Sequence, residues 1–494
     1  MTFSNRTRLC AWLGATALAS PVFAADLPAD PAGAKIVADF AAAYLGKAVA
    51  PSVKVASEGS SYLVSLDLGA ASAAFKGAGF AYDPVELKFR VFQQDNGQWR
   101  VESATTPPIT GHMKPPDGKG QIDTRVEMSN LASSTVIDPK LGWIASGHGG
   151  ADKVTVTQRG PGIEQYLEFG KLRFDATTTS DMQGLTTTAS EPVDSLNLVM
   201  DVDPKAANPN ANGAGKPVHI AAKGEGGLVD VAIKGFQPAP LTAAWRYAAA
   251  HPERADNARD FEALKTTVSA LLADHFSLDE SIKLAKLSVA TESEPVEIAG
   301  VAVGVGVVNG GAESGFSERF AAKSIKLPDG LVPGTYAPVI PTAFDIGFKA
   351  SGFDVPAAAQ EWFADAHFDG DKPVVSNDDQ SKVMAKLVRG KPIVVDILPS
   401  HITGPSLNLA FEGKVTIDNT QPVGSITIQV KNFDQTAQAV QQLGPQAEQQ
   451  LVPVIAMAKG LGKPGTDGAL VWVCDLGRDH VIKINGLPLG KSPF

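Results

Sequence analysis

Apolar and polar residues alternate with a period of two along most of this chain, and that restricts its fold more than any other feature. Tyr62, Val64, Leu66 and Leu68 alternate with Leu63, Ser65 and Asp67, and Leu87, Phe89 and Val91 with Glu86, Lys88 and Arg90. Successive side chains of a strand point to opposite faces, so this pattern marks a strand with one face buried. Asp95-Asn96-Gly97 supplies a turn, and Trp99 and Val101 resume the pattern between Gln98, Arg100 and Glu102, which predicts a hairpin. Further strands are expected at 122–128, 154–158, 166–174, 196–202, 218–222 and 229–233. Residues 50–235 therefore describe an antiparallel meander with almost no helix.

The pattern changes at Pro240. Leu241 to Ala250 is Ala-rich, and between Ala258 and His275 the residues Phe261, Leu264, Val268, Leu271 and Leu272 share one helical face. Strands return at 282–289 and 296–308, then around Leu407–Phe411, Val415–Ile417 and Ile426–Val430. The chain closes with strands at 470–476 and 481–484, joined through Gly477-Arg478-Asp479, and a turn at Asn485-Gly486. Ser376 with Asp379 three residues later makes a capping-box-like helix start. Helices are expected near 356–368, 378–388 and 435–459, the last broken or kinked at Gly444-Pro445 and at Pro453. The fold class is α+β and β-dominated: long curved antiparallel sheets with a few amphipathic helices packed on them. The expected organisation is a leader at 1–24, a β-meander at 25–239, a helical insert at 240–278 and a β-rich part at 279–494.

A strand runs into a Phe and then a helix three times, at Phe236, Phe353 and Phe433. Gly235, Gly352 and Asn432 precede these rings, and Asp354 and Asp434 follow two of them. The expected structure is a sharp turn at Gly or Asn, Phe capping the sheet edge and Asp as N-cap.

The leader carries Arg6 and Arg8, a short apolar stretch from Leu9 to Leu18, and Val22-Phe23-Ala24 before a cut. The stretch is well short of the ~20 residues of a membrane span, so a cleaved secretory signal and a periplasmic protein are expected. Cleavage removes Cys10 and leaves Cys474 alone, which forbids an intrachain disulfide in the mature chain. Cys474 lies in an apolar run and is expected to act as a small buried hydrophobe. Net charge is −10, with 43 basic and 53 acidic residues, and this opposes nucleic acid as a partner. No transmembrane span is expected in the mature chain. Six Tyr and six Trp are too few for the aromatic girdles of a membrane barrel, and Pro493 precedes the terminal Phe494.

A search for chemistry yields little. There is no Gly-x-Ser-x-Gly, no phosphate-cradling loop and no His-Glu-x-x-His. Gly304 and Gly306 lie in a Val-rich strand without a following amphipathic helix, and mark close backbone approach, not a dinucleotide loop. Asp365, His367, Asp369 and Asp371 are the densest polar set, with Asp378 and Asp379 nearby. Alternate carboxylates suit calcium, but a closing Glu is missing and Lys372 intrudes, so a solvated acidic loop is the expectation. His148, among Gly147, Gly149 and Gly150, is expected in a turn. Glu191 and Asp194 are expected to protect a sheet edge. No catalytic residue and no cofactor is expected.

Pro341-Thr342-Ala343-Phe344-Asp345-Ile346-Gly347-Phe348-Lys349, the following Gly352-Phe353-Asp354, and Val481-Ile482-Lys483-Ile484-Asn485-Gly486 resemble a family of exported Gram-negative proteins, domain of unknown function twenty-one twenty-five. The resemblance extends through most of residues 40–490, and it implies no activity, catalytic residue or cofactor. By architecture alone, meanders of this kind are similar to large envelope proteins whose curved sheets carry lipid. The leading expectation is a non-enzymatic protein of envelope maintenance that binds an apolar, lipid-like small molecule or an envelope protein through its sheet. A hydrolase of an envelope polymer and a pure structural scaffold are the alternatives.

Overall fold

The structure, a computed structural model, describes residues 25–46, 49–72, 79–114, 120–182, 184–203, 217–251, 254–273, 275–291, 294–311, 314–367, 374–389, 392–418, 421–443 and 445–491. The leader at 1–24 lies outside the described residues. The chain divides into two compact units, one up to Ser277 together with Ala366–Val375, the other from Leu278 to Asp365 and from Ser376 onward.

The first unit begins with helix α1 (Pro31–Leu45), strands β1 (Val53–Glu58) and β2 (Ser61–Asp67), the short helix α2 (Leu68–Ser72), and strands β3 (Phe80–Tyr82), β4 (Glu86–Gln93) and β5 (Trp99–Thr105). Strands β6 (Ile109–Met113), β7 (Ile122–Ser129), β8 (Ala132–Asp138), β9 (Trp143–Gly160), β10 (Ile163–Asp181), β11 (Gly184–Val202) and β12 (Val218–Phe236) follow. Helices α3 (Pro238–Ala250), α4 (Arg254–Arg259) and α5 (Phe261–Ala273) close it. Antiparallel pairing runs β1–β2–β4–β5–β8–β9–β10–β11–β12, and β3–β6–β7 joins the second half of β9. The predicted hairpin is β4–β5, with Gly97 at φ 85° in its turn. Tyr62, Val37 and Val91 are the buried centre of a cluster that includes Val64, Trp99 and Val101.

A crease crosses the long strands. The registers on either side of it place Asn130 opposite Asp152, Asp152 opposite Lys171, Lys171 opposite Asp194, and Asp194 opposite Gly226. Asn130, Lys171 and Gly226 have φ of 53°, 48° and 60°. Lys171 and Gly226 lie inside β10 and β12 and Asn130 between β7 and β8, and left-handed residues at such positions interrupt the pleat. In β9 the buried positions accordingly run Gly147, Gly149, Ala151 and then Val154, a slip of one residue in the alternation. Polar groups hold the line: Asn130 Nδ2 donates to Asp152 at 2.7 Å, and Lys171 Nζ lies 3.4 Å from Asp194.

The second unit holds strands β13 (Phe276–Val289), β14 (Val296–Asn309), β15 (Ser314–Lys326) and β16 (Ala343–Phe353), then helices α6 (Val355–Asp365) and α7 (Asn377–Arg389). Strands β17 (Ile393–Thr403), β18 (Asn408–Asp418) and β19 (Gln421–Val430) lead to helices α8 (Phe433–Gln441) and α9 (Pro445–Leu461). Strands β20 (Lys463–Pro464), β21 (Leu470–Leu476), β22 (Val481–Ile484) and β23 (Leu487–Lys491) end the chain. Pairing from β14 runs antiparallel through β15, β16, β17, β18, β19, β21, β22 and β23, and β20 adds to β21. Asn485 and Gly486, at φ 51° and 85°, form the closing turn.

The fold is α+β and dominated by antiparallel strands, as the alternation predicts. Several local expectations need correction. The two strands expected at 218–222 and 229–233 are one, β12, because pairing with β11 carries it through Gly224, Gly226 and Gly227. Glu191 and Asp194 lie in β11, between β10 and β12, and protect no edge. His148 is not in a turn: it sits inside β9 opposite Asp175, and burial pushes its pKa down. Pro453 does not end helix α9, which continues to Leu461, while the chain does leave the helix between Gln441 and Pro445 as expected. Helix α1 and strands β15 and β17 were not anticipated. The start of α1 is nonetheless written in Asp30-Pro31, where the Asp30 carboxylate accepts the Gly33 N–H at 2.6 Å.

Candidate functional site

Of the acidic set, Asp365 and His367 are among the described residues, and each is placed by its own local contacts. Asp365 ends α6 and lies 3.6 Å from Lys382, whose ammonium also meets Asp379 at 2.7 Å. The hydrogen bond that Lys382 donates to Asp379, and then the charge of Asp365, hold the Lys382 pKa above its ordinary value. Asp379 is engaged again at the start of α7: Ser376 Oγ donates to its carboxylate at 2.6 Å and accepts its N–H at 3.2 Å. His367 falls in the other unit, its backbone N–H bonded to the Val374 carbonyl at 2.8 Å. Asp369 and Asp371 lie outside the described residues. Among the described residues no group of three or more His, Cys, Asp or Glu is placed to hold a metal ion.

The three Phe positions share local chemistry. Gly235, Gly352 and Asn432 take φ of 73°, 95° and 54°, the left-handed conformation that turns the chain sharply. Each Phe then meets an aromatic ring: Phe236 packs edge-on against Trp143 at 5.2 Å, Phe353 stacks on Phe316 at 5.8 Å, and Phe433 tilts against Trp472 at 5.6 Å. Asp354 caps α6 by accepting the Ala357 N–H at 3.0 Å. The third copy departs from expectation. Asn432 occupies the cap position of α8, while Asp434 lies in the first helical turn and pairs with Lys459 at 2.6 Å.

The larger feature is one face of the second sheet. Residues paired across an antiparallel ladder point to the same side, so the registers collect an apolar set strand by strand. Val303, Val305 and Val307 of β14 face the same way as Phe316, Phe320 and Ala322 of β15 and as Ile346, Phe348 and Ala350 of β16. Beyond small register shifts, Val395 and Ile397 of β17, Phe411 and Val415 of β18, Ile426 and Ile428 of β19, and Trp472 and Cys474 of β21 continue it. The alternate positions mix small, apolar and polar residues, and Arg319 makes a two-pronged bond to Asp345 at 2.7 and 2.8 Å there.

The two ends of this face differ. At β21 it is covered: Trp472 is 7% exposed, its Nε1 donates to the Ala458 carbonyl of α9 at 2.8 Å, and Phe433 of α8 lies against it. Asn485 ties the same helix end to the sheet, donating from Nδ2 to the carbonyls of Leu461 at 2.7 Å and Val471 at 2.9 Å. At β14 and β15 the face is open: Val305, Val307, Phe316 and Phe320 are 43%, 41%, 38% and 40% exposed. Phe316 also meets Phe348 edge-on at 6.0 Å. Cys474 is half-buried, and burial raises its thiol pKa, which disfavours the nucleophilic thiolate.

A shallow cleft of about 500 Å³ is lined by Lys414, Thr416, Asp418, Arg478 and apolar neighbours. With Asp418 as the one carboxylate of its lining, it does not offer the paired acids of glycoside hydrolysis. In the first unit, His112 of β6 bridges two carboxylates, with Nδ1 at 2.7 Å from Asp123 and Nε2 at 3.0 Å from Asp83. These bonds, Asp123 first, raise the His112 pKa above its ordinary 6.5 and lower that of Asp123 below 3.8. The raised histidine stabilises the fold fully below its unfolded value, and that contribution is lost as pH rises through the folded one. The lowered carboxylate contributes above its unfolded value and loses its effect as pH falls through the folded one. An NMR titration should place His112 above 6.5, with Asp123→Asn moving it down; a value at or below 6.5 in the unaltered chain would show that the bridge does not form in solution.

Known proteins bear on this arrangement in one way. No curated protein and no solved structure matches the chain. The family described as an uncharacterized protein conserved in bacteria, DUF2125, matches residues 236–493. That span starts later than the resemblance through 40–490 but contains every quoted motif: the approach to β16 and its end at Phe353, and β22 with the Asn485-Gly486 turn. The strand–turn–Phe pieces at Phe353 and Phe433, the open apolar face and the Trp472 anchor all fall inside it. With more than half its length covered, the chain belongs to the DUF2125 family.

Proposed function

We propose that this chain is an exported, non-catalytic protein of the bacterial cell envelope that holds an apolar, lipid-like ligand on the open end of its second sheet. The observation that carries the reading is the exposed set Val305, Val307, Phe316 and Phe320, contiguous on adjacent strands. Apolar surface gathered in this way favours an occupant, since covering one such side chain is worth ~1.5–3 kcal/mol. The basic and apolar leader supports export to the periplasm.

The test uses mature protein purified from the periplasm. Organic extraction and mass spectrometry should recover a co-purifying amphiphile, and an apolar fluorescent dye should bind. Phe320→Ser should weaken dye binding several-fold, and adding Phe316→Ser should bring the loss to at least ~10-fold, the second change also costing stability because Phe316 packs on Phe348 and Phe353. Absence of both bound amphiphile and dye binding would end the ligand reading. Turnover of an envelope polymer by the same preparation would turn the assignment toward a hydrolase.

A further inference from the structure

The geometry points to an ammonium-bearing amphiphile as the occupant of this face, its headgroup seated on Glu318. The inference rests on the proposed apolar-ligand site and names the polar end of what it holds. Glu318 belongs to the apolar set of β15. Phe316 and Phe320 flank it along the strand, and Val305 and Phe348 are its partners across the ladder. Its side chain is half-buried, and among the described residues its carboxylate has no hydrogen-bond or ion-pair partner. The nearby cations point the other way: Arg319 and Lys349 alternate with this set, and Arg319 is already committed to Asp345.

With the face open, water solvates the Glu318 carboxylate. A ligand that covers Phe316, Phe320 and Val305 removes that water. Stripping a carboxylate without giving it a partner costs more than a few apolar contacts return. A purely apolar occupant is therefore disfavoured, and an anionic headgroup is repelled as well. An alkyl chain carrying an ammonium satisfies both demands, because its tail covers the aromatic and valine surface while its N–H groups make charge-assisted bonds to the carboxylate. Glu318 is thus a specificity-determining residue of the site.

The experiment displaces a bound apolar dye from the full mature chain with dodecylamine, 1-dodecanol or dodecanoate, each below its micellar concentration and near neutral pH. The amine should displace the dye at ~10-fold lower concentration than the alcohol. Glu318→Gln should bring the two within ~2-fold at unchanged thermal stability, and Glu318→Asp should keep the preference. A preference untouched by Glu318→Gln, or dodecanoate competing as well as the amine, would overturn the inference. Equal displacement by all three compounds overturns it and leaves the apolar-ligand reading standing. Displacement by none removes both.

Discussion

Replacing Trp472 by Ala should lower the unfolding free energy of the second unit by about 3–5 kcal/mol, the range for deleting a large buried ring. The ring is where helices meet sheet: Phe433 from the start of α8 packs on it, and its indole N–H satisfies the Ala458 carbonyl within α9. The ring lies so close to Gly462 that a Cβ there would press on its six-membered ring at 3.1 Å. Truncation leaves a cavity lined by both elements and removes the indole bond, while the Ala458 carbonyl keeps the Gly462 N–H at 2.9 Å. Trp472→Phe keeps most of the apolar area and loses the hydrogen bond, at a cost of about 1 kcal/mol. Urea unfolding followed by circular dichroism checks both. A loss under about 1 kcal/mol for Trp472→Ala would mean that α8 and α9 are not seated on this ring.

Tyr62→Ala should cost the first unit a similar ~3–5 kcal/mol. Tyr62 is the one large side chain with no exposed surface among the described residues, at 0%. Its ring packs with Val37 of α1, Val91 of β4 and Trp99 of β5, and its hydroxyl accepts the Asp30 N–H at 3.2 Å. The helix lies so close that a Cβ at Gly33 would overlap the Tyr62 hydroxyl. Tyr62→Phe should cost only about 0.5–1.5 kcal/mol, since it removes one hydrogen bond from the N-terminal end of α1. Equal losses for Phe and Ala would show that the hydroxyl, not the ring, anchors the helix. Because the two rings belong to different units, the variants should report on two separate unfolding events if the units melt independently.

Much of the fold was legible from short stretches of sequence. Alternation at 62–68 and 87–91 is β2 and β4, and Asp95-Asn96-Gly97 is the turn that joins β4 to β5. The Phe261–Leu272 face is α5, and the Ser376–Asp379 pair starts α7. Errors arose where a local rule was outweighed by neighbours. Gly224, Gly226 and Gly227 weaken a strand in isolation, yet β12 persists because β11 supplies its ladder. His148 among glycines suggests a turn, but β8 and β10 hold it in a central strand. The sequence of β15 does not read as a strand, because Glu318 interrupts one row of its apolar positions and Ser317, Arg319 and Lys323 share the other with small residues. That interruption is the residue on which the ligand inference turns.

By itself the sequence settled that much of this chain forms antiparallel strands and, within strands such as β2 and β4, which side chains share a face. Both follow from the stereochemistry of adjacent residues and need no distant partner. It could not say which part of the shared face would be covered. Phe316 and Trp472 stand in equivalent alternating positions, yet one is 38% exposed and the other 7%. Coverage depends on what other segments bring from far along the chain, here Phe433 and α9 over Trp472, and only the tertiary structure decides that.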